Sequence, residues 1–442
     1  MDFSTDPTLA SHLDADDDLV SFRDKFVISD PDTIYLDGNS LGRLPAATMA
    51  QMQKAIEGQW GERLIRGWNE SWMDTPKKLG DKIALLIGAQ PGEVLVTDST
   101  SANLFKLAVA ALKARPGRAK IVSDALNFPS DLYVFQGIIH LLGKGHKLEL
   151  IPSHDGVHIQ PEDVTAAIDK QTALVSLSHV AFKSAFMYDM QAVTTQAHQA
   201  GAFTLWDLSH SVGAVPLKLN EWGVDLAVGC TYKYLNGGPG APAFLYVRRK
   251  LQKKIMQPIW GWFASREPFE FRPDFNPADD ISRFQVGTPP ILSMLAIEPA
   301  LDIFLEVGLE RLRKKSVQQS EYLLHLTRKW LLPLGFSIGS PEKADQRGSH
   351  ISLRHPEAYR INRAMIELPS MPEGFWESVS ELKGPVPTLR VIPDFRAPDN
   401  IRLGIVPLYT SFTDIHRAMN HIRLIVAENL YSQSSDERLP VT

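Results

Sequence analysis

The sequence predicts an α/β protein built on a mostly parallel sheet sandwiched by helices, followed by a smaller α+β C-terminal domain. Three observations carry this. Short apolar runs alternate with helix-length amphipathic segments from Glu93 to Val247. Polar clusters stand just past the ends of those runs, where open α/β sheets bind their ligands. Near residue 295 the pattern changes to long helices with charged faces and then to short strands, a Pro/Gly-rich excursion over Pro369–Pro398 and a terminal helix from about Thr413 to Asn429. The expected organisation is an N-terminal arm and helix over 1–60 packing with the small domain, a large domain over 61–295, a small domain over 296–430 and a flexible tail over 431–442.

Residues 1–33 are acidic, with one short helix expected at Leu19–Phe26. Ile34–Gly42 follows, in which Gly38, Ser40 and Gly42 match G-x-S-x-G, the nucleophile elbow of serine hydrolases. That elbow needs a helix directly after the serine. Here Arg43-Leu44-Pro45 delays the next helix to about 46–60, so a turn bringing backbone amides toward a ligand is the commoner reading. Trp60, Trp68 and Trp72 come next. Most tryptophans are core, and one of the three can line an aromatic substrate pocket.

Glu93–Thr97 reads as a strand. Leu104, Leu107, Ala108, Ala111 and Leu112 then recur at helical spacing until Pro116-Gly117 stops the helix. The junction between them holds Thr100 and Ser101. Hydroxyls there are ordinary N-caps. A helix start is also where a phosphate binds, because free N–H groups and the positive end of the dipole meet there. Strands at Lys120–Ser123, Leu148–Ile151, Leu174–Ser178 and Phe203–Leu208 alternate with helices at Ser130–Leu142, Pro161–Ile168 and Ala192–Ala200. The block Phe128-Pro129-Ser130-Asp131 lies between a strand and a helix, on the carboxyl side.

Two strand-like runs, Leu226–Gly229 and Ala243–Val247, flank the glycine-rich turn Gly237–Gly240. Lys233 stands at the mouth of the first. Most lysines at strand ends are solvated charges, but one that is partly desolvated has a lowered pKa and can attack a carbonyl as an amine. Asp207 stands 26 residues upstream at the end of another strand. A lysine for an aldehyde and a carboxylate for a pyridinium nitrogen are the pair that a pyridoxal phosphate site requires. Beyond Val247, the aromatic stretch Pro258–Pro277 reads as a functional or interface loop, and Phe284–Pro290 as a rigid turn.

Composition excludes other classes. The net charge is −5, from 46 basic and 51 acidic residues, which disfavours nucleic-acid and anionic-membrane binding. A single cysteine, Cys230, cannot form an internal disulfide. The acidic N-terminus lacks signal-peptide order and no run of 18 apolar residues occurs, so a cytoplasmic protein is expected. There is no HExxH, Walker A or GxGxxG motif, and no metal site is expected.

Five blocks, YLDGNSLG (35–42), FPSD (128–131), WDLSHSVGA (206–214), GCTYKYLNGGPG (229–240) and IRLGIVPLY (401–409), together resemble the kynureninase family. They occur in family order over most of the chain, and the blocks at 229–240 and 401–409 are the most specific. The resemblance implies the fold type I architecture of pyridoxal-phosphate enzymes, with a seven-stranded-type sheet. It implies hydrolysis of L-kynurenine to anthranilate and L-alanine by a homodimer with shared active sites. Carried over by motif, Lys233 is the Schiff-base lysine, Asp207 pairs with the pyridine nitrogen and His210 lies beside the ring. Thr100, Ser101 and Tyr232 hold phosphate. Phe128, by stacking, and Asp131 and Ser178 contact the cofactor. Trp262 and Thr288 reach the cofactor of the neighbouring subunit. Arg402 clamps the substrate α-carboxylate, Trp68 belongs to the substrate pocket, and Tyr232 is the candidate for proton transfer.

Departures from the family pattern fall near the substrate ring. Phe263-Ala264-Ser265 follows Gly261-Trp262 where the family commonly has a small residue and Gly-His, and Thr288 occupies a position that is often Asn. The stretch around Trp60 and Trp68 resembles the bacterial pocket and favours kynurenine over its 3-hydroxy form. The rivals are a cysteine desulfurase, a serine hydrolase at Ser40 and an inactive relative. The first needs a thiol on a mobile loop. The last would be expected to have lost Lys233 or Asp207.

Overall fold

Residues 3–367 and 389–439 are described in the computed structural model. Their strands, in chain order, are β1 (Thr33–Tyr35), β2 (Val94–Val96), β3 (Lys120–Asp124), β4 (Lys147–Ile151), β5 (Thr172–Ser178), β6 (Phe203–Asp207), β7 (Leu226–Gly229), β8 (Phe244–Val247), β9 (Ser337–Ile338), β10 (His350–Arg354), β11 (Arg390–Ile392), β12 (Asp394–Arg396) and β13 (Asn400–Gly404). The chain divides into a larger unit, Leu41–Arg313 with Pro341–Gly348, and a smaller one, Met1–Ser40 with Lys314–Ser340 and Ser349–Thr442.

The larger unit holds a seven-stranded sheet in the order β2-β8-β7-β6-β5-β3-β4. Strand β8 is antiparallel to both β7 and β2, and the other pairings are parallel. All residues of β5, β6, β7 and β8 are buried, as strands of a sheet covered on both faces must be. The helix Thr100–Lys113 packs Leu104, Leu107, Ala108 and Ala111 into the cluster formed by Leu174, Leu205, Val228 and Leu245. Each such fully buried leucine or valine contributes about 1.5–3 kcal/mol. The chain goes outward from β3 to β4 and then returns to place β5 on the other side of β3. That reversal opens a crevice at the carboxyl ends of β3 and β5.

The edges of the units differ from the boundaries expected near 60 and 295. The helix Glu298–Val307 belongs to the larger unit, where its Glu298 and Asp302 accept from Lys82 at 2.9 and 2.6 Å. Lys82 lies on the helix Thr75–Leu86, and Leu301 and Phe304 on the partner helix are buried.

The smaller unit carries an antiparallel sheet, β12-β13-β10-β9, and a parallel pair, β1-β11. Its C-terminal helix, Phe412–Ala427, starts at a capping box between Ser411 and Asp414 and buries Ile415, Met419, Ile422 and Ile425 against Leu353, Ile401 and Leu403. Residues 431–439, expected as a frayed tail, bond to the helix Ala358–Ile366. Arg360 donates to the Ser434 carbonyl at 3.0 Å, and the Tyr359 hydroxyl accepts from Leu439 N–H at 2.9 Å. Of the Pro/Gly-rich excursion expected over Pro369–Pro398, residues 369–388 lie outside the described residues.

Candidate active site

A cavity of about 690 Å³ opens at the carboxyl ends of the strands in the larger unit. Its lining includes Thr100, Ser101, Phe128, Asp131, Ser178, Asp207, His210, Tyr232, Lys233 and Thr288. Ten of the thirteen site residues named from the sequence are therefore brought to one cavity. Trp68, Trp262 and Arg402 are not among its lining residues.

Lys233 follows β7 in a loop held at its base by two bonds. Thr231 Oγ1 donates to the Pro242 carbonyl at 2.7 Å, and Gly237 N–H donates to the Thr231 carbonyl at 2.9 Å. Gly42 packs on the same loop, where its N–H donates to the Tyr232 carbonyl at 2.8 Å and a Cβ would collide with the carbonyl oxygen of Lys233. The Lys233 amine is 3.1 Å from His210 Nε2 and 5.8 Å from the centroid of the Phe128 ring.

Asp207 ends β6 and is buried. Burial pushes its carboxyl above the ordinary range, while bonds from Ser209 and the charge of Lys233 pull it down. Asp131, in the first turn of the helix Pro129–Leu142, is buried too. Burial first, and then Asp207, push its carboxyl well up. Burial likewise raises the Tyr232 phenol, so it stays a proton donor rather than a base near neutrality.

The helix Thr100–Lys113 points its start into the cavity. Its N-cap is Ser99, whose side chain accepts from Ala102 N–H at 3.3 Å. The cap role therefore falls to Ser99, leaving the Thr100 and Ser101 hydroxyls for other use. Ser101 Oγ is 3.0 Å from Ser130 Oγ. N–H groups of a first helical turn have no intrahelical acceptor, so this end suits an anion. Ser178 donates its proton to Asn127 Oδ1 at 2.7 Å, and Asn127 Oδ1 also accepts from Phe128 N–H at 2.8 Å. Asn127 thus fixes the backbone at Phe128, a role that the sequence reading missed. An asparagine one residue before the helix cap was its only signal.

An amine, a buried carboxylate, an aromatic face and a helix start meet in one cavity. That set matches the aldehyde, ring nitrogen, ring face and phosphate of pyridoxal phosphate, so the residues present fit the group.

Thr288, expected to serve a neighbouring subunit, stands on the wall of this chain's own cavity, whereas Trp262 is 40% exposed. Trp262 and Trp68 are joined through Phe263, with ring centroids 4.2 and 5.9 Å from it. Gly261 lets this aromatic segment cross Val286, since a Cβ there would overlap the Val286 carbonyl oxygen.

In the smaller unit, Arg402 is buried on β13. Its guanidinium pairs with Asp394 and donates to Ser40 Oγ at 3.0 Å. Ser40 is thus an acceptor for an arginine. β1 ends at Tyr35 and the next helix starts at Ala46, so the strand–serine–helix geometry of an elbow is absent at this serine. Gly404 permits this arrangement, because a Cβ there would overlap Asn39 Oδ1. Asp37 beside them is raised to about 7, by burial and by Asp394, against Ser40 and Arg402. Cys230, the thiol that a desulfurase would need, is buried, and burial pushes its pKa up.

Residues 34–360 match the family model described as aminotransferase class-V, and residues 386–422 match that of the kynureninase C-terminal domain. The chain is 40% identical to a kynureninase of Pseudomonas fluorescens over 427 residues, covering 96% of each chain. It is 42% identical to a kynureninase of Burkholderia pseudomallei (strain 1106a), covering 94% of each. Among solved structures, a cysteine desulfurase from Thermococcus onnurineus NA1 superposes with a TM-score of 0.71 at 19% identity, covering 89% of this chain and 95% of that one. A cysteine desulfurase from Escherichia coli gives 0.74 at 15%, covering 93% and 99%. At such identities the desulfurases share the fold alone.

Proposed function

Because the chain belongs to the kynureninase family, we propose that it hydrolyses the Cβ–Cγ bond of L-kynurenine to give anthranilate and L-alanine. Members of the family are pyridoxal-phosphate-dependent hydrolases of a carbon–carbon bond. The single observation that carries the residue assignments is the meeting of Lys233, Asp207 and the start of helix Thr100–Lys113 in one cavity. The 3-hydroxy substrate, yielding 3-hydroxyanthranilate, belongs to the same proposal as the slower alternative.

Pyridoxal phosphate, when bound, supplies an aldehyde that exchanges amines and a ring that accepts electrons from the substrate's Cα and Cβ. Lys233 Nζ would hold the aldehyde, and it is the amine assigned to carry the substrate Cα proton. His210 Nε2, at 3.1 Å, exchanges a proton with that amine. Asp207 keeps the ring nitrogen protonated, and Phe128 covers the ring face. Thr100, Ser101 and the Tyr232 hydroxyl hold the phosphate, with Asp131 and Ser178 completing the cofactor contacts. Tyr232, held neutral by burial, is assigned the proton transfers: it would give its proton to the γ-carbonyl oxygen as water adds, recover one as the hydrate collapses to the acid, and pass it to Cβ as the bond breaks. Arg402 is assigned the substrate α-carboxylate, for which a planar guanidinium fork is the fitting partner. Trp68 is assigned to the substrate pocket.

A cytoplasmic homodimer belongs to this proposal. Among the described residues no helix is long and apolar enough to cross a membrane. Exposed apolar side chains at Trp60, Ile65, Trp260, Phe269 and Phe271 supply a surface that a second copy would cover, bringing Trp262 and Thr288 to a shared site.

The test is direct. The purified holoenzyme is offered kynurenine and 3-hydroxykynurenine in parallel, and release of the fluorescent aromatic amine is followed. Borohydride reduction and peptide mapping then locate the cofactor. Turnover with a pyridoxyl label on Lys233 is expected; a label on another residue rejects the assignment.

A further inference from the structure

Asp207 Oδ1 receives two donors from one residue. The Ser209 N–H lies at 2.8 Å and the Ser209 hydroxyl at 2.6 Å. The acceptor side of that hydroxyl is taken by the Cys230 N–H at 3.1 Å. A hydroxyl has one proton to donate. With Cys230 donating to the oxygen, the proton is aimed at Asp207. Oδ1 is thereby held as an acceptor, and any proton that Asp207 shares must sit on Oδ2. We propose that Ser209 is a positioning residue that keeps the Asp207 carboxylate ionised and turned so that Oδ2 receives the ring N–H of pyridoxal phosphate. This rests on the assignment of Asp207 to the ring nitrogen.

The surroundings give Ser209 a task. Asp207 is buried, and its charge pushes up the carboxyl of Asp131 on the wall of the same cavity. Cys230, bonded to Ser209, and Tyr232, on the cavity wall, are held neutral by burial, and the Lys233 charge pulls both carboxyls down. A buried carboxylate without support is a strong base. It would draw the proton off the ring nitrogen, and a neutral ring accepts electrons from Cα less readily. A hydrogen bond to a charged group shifts such a partition by about tenfold or more toward the ionised form. The same hydroxyl ties the end of β6 to the start of the segment carrying Lys233, so acid and amine are set by one side chain.

The test loads the full chain with pyridoxal phosphate carrying nitrogen-15 in its ring. The ring-nitrogen NMR shift is recorded for wild type, Ser209→Cys and Ser209→Ala, alongside kcat, KM and thermal midpoint. A thiol is the weaker donor, so protonation should fall in the order Ser, Cys, Ala, with kcat about tenfold lower or more in Ser209→Ala and KM little changed. A merely structural role would lower the thermal midpoint and leave the ring signal alone. Wild-type ring signals in both variants overturn the proposal while leaving Asp207 in place. A neutral ring in the wild type overturns the Asp207 assignment itself. Should Ser209→Ala not hold the cofactor, Ser209→Cys decides: an intermediate signal supports the proposal and an unmoved one overturns it.

Discussion

Lys106 is wholly buried in the helix whose start faces the cavity, and its stability should depend on a single carboxylate. Its ammonium donates to Asp98 Oδ2 at 2.5 Å and to the Phe284 carbonyl at 2.8 Å. It thereby ties the β2–helix junction to the segment that leads to Thr288. Asp98 has φ of 48°, a left-handed conformation that asparagine tolerates. Asp98→Asn therefore removes the charge without straining the backbone. It leaves a buried ammonium with no counter-charge, which costs about 3–5 kcal/mol. Lys106→Met removes the buried charge itself. Asp98, with 31% of its side chain exposed, is then solvated, and the main loss is the donor to Phe284, about 1–3 kcal/mol. The variant that keeps the lysine should thus be the less stable of the two. The pH response has a defined sign. Burial lowers the Lys106 pKa, and Asp98 opposes that. With Asp98 neutralised, the folded value drops further below the unfolded one. The unfolded state then binds the proton more strongly, and stability rises by up to about 1.4 kcal/mol per pH unit between the two values. The Asp98→Asn deficit should shrink between pH 7 and 9, and the Lys106→Met deficit should not. Thermal midpoints and cofactor release rates of the holoenzymes at both pH values measure this. Equal deficits, or a gap between the variants that ignores pH, would refute the reasoning.

Asp207→Ala is expected to lose far more kcat than Asp207→Glu; equal losses would count against a partner for the ring nitrogen. Arg402→Lys should raise KM for the substrate at least tenfold while cofactor affinity holds, because lysine cannot reproduce the fork; the reverse pattern, seen in cofactor titrations, removes it from the carboxylate. Gly42→Ala should destabilise by about 1–3 kcal/mol, since the backbone at Lys233 and Asn236 cannot yield. Gly58→Ala, with open space at its Cβ, serves as the near-neutral comparison, and matching melting curves for the two would dismiss the packing argument.

Much of the fold was legible because buried parallel strands are short, apolar and punctuated. The strand expected at Leu226–Gly229 has those bounds, and the terminal helix expected from about Thr413 to Asn429 spans Phe412–Ala427. Among the described residues three helices went unread, Pro7–Ala15, Thr75–Leu86 and Ala358–Ile366. The first two carry proline in the first turn, a start signal that resembles a loop when taken alone. The helix expected over 46–60 keeps α geometry only to Lys54 and continues in wider turns to Arg63. Such turns bond i to i+5, a register that an apolar period of 3.6 residues does not predict. The site was legible in its types, since Asp207 ends one strand and Lys233 follows another. Distant pairings were not. That Arg402 and Ser40, 362 positions apart, share a hydrogen bond follows from the route of the chain and not from either motif.

Strand β8 alone runs against its sheet, so the segment from Thr231 to Ala243 leaves and re-enters at the same edge of the cavity. Tyr232 and Lys233 lie on its outgoing arm, and Gly240, Ala241 and Pro242 on its return. With its base clasped by Thr231 and Pro242, the segment is a tether of set contour. Outer surface loops tolerate changes in length, but one residue added or lost here would displace the reactive amine and the facing wall together.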